Sequence, residues 1–127
     1  FLKTHTDAQW INLKLALNKT SSRNVWKEYQ FILSSKDIIP EDMYVISYSP
    51  PAIISTIHKM AISPFVFVGM QEMPKEAILF KDFWWFKNNP DLETIEEKLK
   101  ELYSFKILAQ KRISDSQNFY FIRLTLK

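Results

Sequence analysis

The sequence predicts an α/β fold: a mainly parallel sheet with flanking helices and a C-terminal antiparallel hairpin. Three observations carry this reading. Short, nearly uninterrupted apolar runs recur at 43–47, 65–68 and 77–80, the pattern of strands buried on both faces. Proline-led stretches between and after them carry apolar residues at helical spacing. Finally, the strand-like runs 105–113 and 119–126 are joined by a short polar turn at 114–118, which favours a hairpin.

Each element follows from its residues. In 1–21, Trp10, Ile11, Leu13, Leu15 and Leu17 alternate with polar or small residues, so this segment reads as an N-terminal arm or an edge strand. Asn18-Lys19-Thr20 matches the glycosylation triplet. Residues 22–127 read as one α/β domain, without a repeat or a linker that would divide it. Ser21-Ser22 offers a helix N-cap, and Val25, Tyr29, Ile32 and Leu33 supply an apolar stripe. That helix ends near Ser35, ahead of the turn Ile39-Pro40-Glu41-Asp42. The run 43–47 is the first buried strand.

Ser49-Pro50-Pro51 then opens a helix, because proline suits a first turn, and Ile53, Ile54, Ile57 and Ala61 form its buried face. The run 65–68 is read as a second buried strand closed by Gly69, and 77–80 as a third after the turn Pro74-Lys75-Glu76. Asn89 and Pro90 start another helix, with Asp91 and Glu93 at the positive end of its dipole. Leu92, Ile95, Leu99 and Leu102 recur at helical spacing along it, and Glu96 and Lys100 form an i, i+4 pair. The core expected from these elements is Ile32, Val45, Ile46, Ile54, Ile57, Phe67, Ile78, Leu79, Leu99, Ile122 and Leu124.

Composition excludes several chemistries. The 127 residues hold no cysteine, one glycine and two histidines. That removes thiol nucleophiles, cysteine metal sites, glycine-rich phosphate loops and a two-histidine zinc helix. The net charge of +3 comes from 17 basic and 14 acidic residues, and no block of like charge reaches five, so nucleic acid is disfavoured as a partner. The least charged stretch, 60–73, falls short of the roughly 20 apolar residues of a spanning helix. The chain opens Phe1-Leu2-Lys3, without an initiator methionine or signal-peptide pattern, and is read as a piece of a longer protein.

Candidate sites are few. Phe83, Trp84, Trp85 and Phe86 follow Asp82 without a break, and in an extended run alternate rings diverge. This predicts that Trp84 or Trp85 is exposed as a contact shelf for a sugar, lipid or partner, with Asp82 as its polar anchor; the alternative is that the rings pack under neighbouring helices, as large aromatics commonly do. Ser47 and Ser49 lie at the carboxyl end of a predicted parallel strand, where ligands of open α/β sheets bind. Lys81 and Asp82 lie beyond another strand end, so the two loops are expected to flank one crevice. The alternative is ordinary loop chemistry, in which Ser49 only caps the following helix. His58 reads as a partly exposed helix residue. Asp91, Glu93, Glu96, Glu97 and Glu101 read, with Lys98 and Lys100, as a solvated helix face and not a metal site.

The order of certain motifs resembles a known kind of domain. Trp26-Lys27-Glu28, Ile39-Pro40-Glu41-Asp42, Val45-Ile46-Ser47, Pro50-Pro51, Ile78-Leu79-Phe80 with Trp84-Trp85, and Tyr103 leading to Phe105 follow one another in that sequence. So ordered, residues 22–127 resemble the soluble C-terminal domain of polytopic membrane glycosyltransferases that use dolichyl- or polyprenyl-phosphate sugars, the C-fold superfamily. The resemblance implies an accessory domain on the extracytoplasmic side of a membrane, assisting acceptor or glycan binding without catalysis of its own. It implies the membrane domain of the same parent chain as a partner, and a glycan or polyprenyl-phosphate sugar as ligand. No catalytic residue, metal ligand or cofactor is expected in this segment. Two other readings stay open: a stand-alone module for a small anionic ligand at the Ser47/Asp82 crevice, cytoplasmic if the chain is complete, and a basic, aromatic nucleic-acid binder.

Overall fold

The computed structural model describes residues 24–49, 51–55, 58 and 60–127. The readings made for 1–21, for Ser22 and for Ile57 lie outside the described residues. Helix α1 spans Val25–Ser34, and a 3-10 turn over Lys36–Ile38 follows it. Next come β1 (Val45–Ser47), α2 (Pro51–Ser55), β2 (Ala61–Ile62) and α3 (Pro64–Val68). The chain continues through β3 (Glu76–Asp82), α4 (Phe83–Asn88), α5 (Pro90–Leu102), β4 (Tyr103–Ser114) and β5 (Gln117–Leu126).

The strands form one five-stranded sheet in the order β2-β1-β3-β5-β4. It is α/β, as expected, but mixed and not mainly parallel. β1 pairs in parallel with β2 and β3, whereas β3–β5 and β5–β4 are antiparallel and much longer. The parallel part is small because the apolar run at 65–68 is not a strand. Ser63 caps α3 there by accepting from Phe65 N, and Pro64 occupies its first turn. Phe67 is fully buried, while Phe65 and Val66 are 55% and 60% exposed. Four apolar residues in a row fit a one-turn helix as well as a strand, and the cap with its proline decides between them.

Both faces of the sheet are covered, and strand alternation divides the core accordingly. On one face, Ile78, Phe80, Phe119 and Phe121 meet Phe31 and Ile32 of α1 and Ile54 of α2. Phe31 sits among three rings, 5.4 Å from Phe121, 5.5 Å from Phe119 and 6.3 Å from Phe80. On the other face, Ala77, Leu79, Ile122 and Leu124 meet Phe67 of α3 and Leu92, Ile95 and Leu99 of α5. Every core residue expected from sequence that is described is buried.

Several details differ from expectation. The cap of α1 is Asn24, whose side chain accepts from Lys27 N, and not a serine. The buried residues of α1 are Glu28, Phe31 and Ile32, continued by Ser35 at its C-cap, and Leu33 turns outward. Ala61 belongs to β2 and not to the preceding helix. The hairpin turn is shorter than the polar run suggested, with Asp115 and Ser116 between the strands and an Arg112–Asp115 ion pair across it. β4 carries register shifts at Ile107/Ala109 and Arg112/Ser114.

The two cores lie on opposite sides of the sheet, so damage to them is independent. Phe31→Ala and Leu99→Ala are each expected to cost about 3–4 kcal/mol. The double variant should lose the sum to within about 0.5 kcal/mol, read from urea unfolding midpoints at unchanged m-value.

Candidate functional site

The chain leaves β1 toward α2 on one face and leaves β3 toward α4 and α5 on the other. Adjacent parallel strands whose connections part in this way leave a crevice beyond their carboxyl ends. A crevice of about 230 Å³ lies there. Ser47, Tyr48 and Ser49, all buried, form its base. Trp85 of α4, and Asn89 and Asp91 at the start of α5, line it from one direction, and Phe65 of α3 from another.

The base of the crevice is tied together locally. Ser47 Oγ donates to the Ser49 carbonyl at 2.8 Å and lies 3.1 Å from Ser49 Oγ. Tyr48 N bonds to the Phe80 carbonyl, which fastens the loop after β1 to β3. Asn89 Nδ2 donates to the Trp85 carbonyl at 2.8 Å and holds the α4–α5 corner. Among the described residues lining the crevice none is a cation, and Asp91 brings a negative charge.

Of the residues expected to flank one crevice, Ser47 and Ser49 line it, and Trp85, read from sequence only as a contact shelf, joins the lining. Lys81 and Asp82 do not line it and part from each other. They are consecutive on β3 and so face opposite sides. Asp82 is fully buried on the α1 side, where it caps α4 by accepting from Trp84 N at 3.0 Å. Its other oxygen accepts from Gln117 Nε2 at 3.4 Å, and Gln117 Oε1 accepts from Asn24 N at 2.8 Å. Asp82 and Gln117 therefore join the start of α1 to the ends of β3 and β5. Lys81 lies on the α5 side. Its ammonium sits 2.9 Å from Glu96 Oε1 and 4.0 Å from the centroid of the Phe86 ring.

The aromatic run is helical, which corrects the extended reading. A helix turns successive side chains by about 100°, so the rings fan out. Trp85 reaches the crevice and Phe83 a second groove, while Phe86 stacks on Tyr48 at 6.0 Å. Trp84 meets Trp85 edge-on at 5.3 Å. Both tryptophans are half-buried, so neither stands out as the exposed shelf expected from the sequence. His58 is buried and donates Nε2–H to the Met43 carbonyl at 2.7 Å, a structural contact where partial exposure was expected. Among the described residues no group of His, Asp and Glu is placed to hold a metal ion.

Glu96 was read with the solvated helix face and is instead buried. It accepts from Tyr48 Oη at 3.1 Å and pairs with Lys81, with Lys100 Nζ 3.7 Å away. Burial beside this carboxylate pushes the Tyr48 hydroxyl far above its ordinary range, burial being the larger cause. The signal was available: Glu96 lies one position after Ile95 and four after Leu92, on the rim of the apolar stripe. Asn89 and Asp91 were recognised as helix-start residues, and nothing in their spacing reveals the crevice they border.

Comparison with family models, with curated proteins and with solved structures finds no match to this chain.

Two expectations follow from the Tyr48–Glu96–Lys81 cluster. Glu96→Leu strands a largely buried ammonium and should cost about 3 kcal/mol, measured by urea unfolding at neutral pH. Tyr48 is held neutral in the fold, but in the unfolded chain it ionises near its ordinary value of about 10. Its contribution is therefore complete below pH 10 and is lost as pH rises further, by up to about 1.4 kcal/mol per pH unit. Tyr48→Phe should flatten the alkaline limb of the stability–pH curve by that slope.

Proposed function

We propose that this domain is a non-catalytic glycan-binding accessory of a membrane glycosyltransferase, working on the extracytoplasmic side beside the membrane domain of its own parent chain. The observation that carries the binding half is the lining of the crevice. The indole of Trp85 and the phenyl ring of Phe65 lie beside an amide, a carboxylate and serine hydroxyls, with no cation among the described residues of the lining. A sugar presents the matching chemistry: an apolar C–H face for the rings and hydroxyl donors for Asp91 and Asn89. The same lining argues against a small anionic ligand here, since Asp91 would repel it. The transferase half rests on the resemblance set out in the sequence. Among the described residues no helix is long and apolar enough to cross a membrane, so membrane attachment is assigned to the parent chain.

The test is a titration of the domain with neutral mono- and disaccharides, following the Trp85 indole N–H resonance by NMR. One sugar class should shift it with millimolar affinity, as expected for one aromatic contact worth about 1 kcal/mol beyond area burial. Trp85→Ala and Asp91→Ala should each weaken binding by about tenfold or more. If no sugar moves the indole signal at high concentration, the binding half falls. A parent reading frame without apolar stretches of about 20 residues removes the transferase half.

A further inference from the structure

A second groove, of about 410 Å³, opens on the α5 face beside the C-terminal hairpin. It shares no lining residue with the crevice and does not depend on the function proposed above. Its apolar wall is Phe105 and Ile107 of β4 with Tyr120 and Ile122 of β5. Ile107 is 56% exposed, on the side of the sheet whose central strands lie under α5. That is a large apolar side chain left facing solvent within a concave surface.

The polar end of the groove carries unequal charge. Lys81 and Lys100 both turn to Glu96. The Lys81 ammonium is 2.9 Å from Oε1 and 3.1 Å from Oε2, and the same carboxylate also accepts from Tyr48. Lys100 stands off at 3.7 Å with its side chain 62% exposed, and its ammonium lies 5.8 Å from the Phe105 ring centroid. Glu96 is thus engaged by Lys81 and Tyr48, and the positive charge of Lys100 is left to meet a second anion at the edge of the apolar wall.

We propose that this groove binds a small organic acid with an aromatic body, its acid group on Lys100 and its ring against Phe105, Ile107 and Tyr120. Aromatic and branched side chains around one cation select an anion attached to a flat apolar group over a bare inorganic anion. The volume falls within the range of about 300–1,000 Å³ usual for small-molecule sites. Through the Tyr48–Glu96 hydrogen bond, the groove also adjoins the base of the crevice.

The experiment uses two fluorescent probes that share an aryl body: 8-anilinonaphthalene-1-sulfonate and the uncharged N-phenyl-1-naphthylamine. At neutral pH and low salt, the sulfonate should bind at one site, at least about fivefold more tightly than the neutral probe. Lys100→Met should weaken the sulfonate by about tenfold and leave the neutral probe unchanged. Ile107→Asp should weaken both. Both side chains are exposed, so neither change threatens the fold, and thermal melts of the variants check this. Amide shifts induced by the sulfonate should map to Phe105, Ile107 and Tyr120. Equal affinity for the two probes, insensitivity to Lys100→Met, or shifts confined to the crevice residues would each overturn the proposal.

Discussion

Everything in this domain hangs on the double pairing of β3. On one edge it pairs in parallel with β1, and on the other antiparallel with β5. Its interior residues Ala77, Ile78, Leu79 and Phe80 are fully buried, and alternate ones feed opposite cores. One strand thus fixes the relative position of both cores. It also sets where the sheet ends, because Lys81 and Asp82 close its carboxyl end by pulling in opposite directions. Lys81 reaches α5 through Glu96, and Asp82 reaches the start of α1 through Gln117. The first of these attachments, Lys81 with Glu96, forms the polar end of the groove.

Much of this was legible in the sequence where hydrophobic pattern and local chemistry agreed. The runs 43–47 and 77–80 each contain a strand, Val45–Ser47 in the first and the interior of β3 in the second, because β-branched and aromatic residues fill them, with turn chemistry at both ends; Met43 and Tyr44 lie outside β1. Asn89-Pro90 gave the start of α5 for the same reason. Residues 65–68 failed because four apolar residues carry no period of their own. The deciding signal was the preceding Ser63-Pro64, a cap followed by a first-turn proline. The parallel character was overestimated for a related reason. Removing that strand leaves only the short β1 beside β3, with the shorter β2 beyond it, while the pairing of β5 with β3 depends on contacts across more than thirty residues that no local pattern reports.

The candidate site was legible in its location and less so in its membership. Strand ends at a switch of direction mark a crevice whatever residues stand there, so Ser47 and Ser49 were found by position. Lys81 and Asp82 were found by position too, yet a sequence does not say which of two neighbours turns to which face until the register is set. Glu96 shows the opposite failure. A glutamate amid Glu93, Glu97 and Lys98 looks solvated, and only the arrival of Tyr48 from the loop after β1 and of Lys81 from β3 makes its burial tolerable.

The hairpin strand β4 lies at the rim of the sheet, and among the described residues no strand pairs beyond it. A twelve-residue rim is an open template, able to recruit the strand of another molecule and seed insoluble assemblies. Two features of β4 oppose this. Its register shifts break the even spacing that an incoming strand would need to match, and its exposed Lys106, Lys111 and Arg112 would face like charges in any copy of itself. Irregularity at this border therefore works as a guard: a straighter and less charged β4 would leave the protein more prone to precipitate.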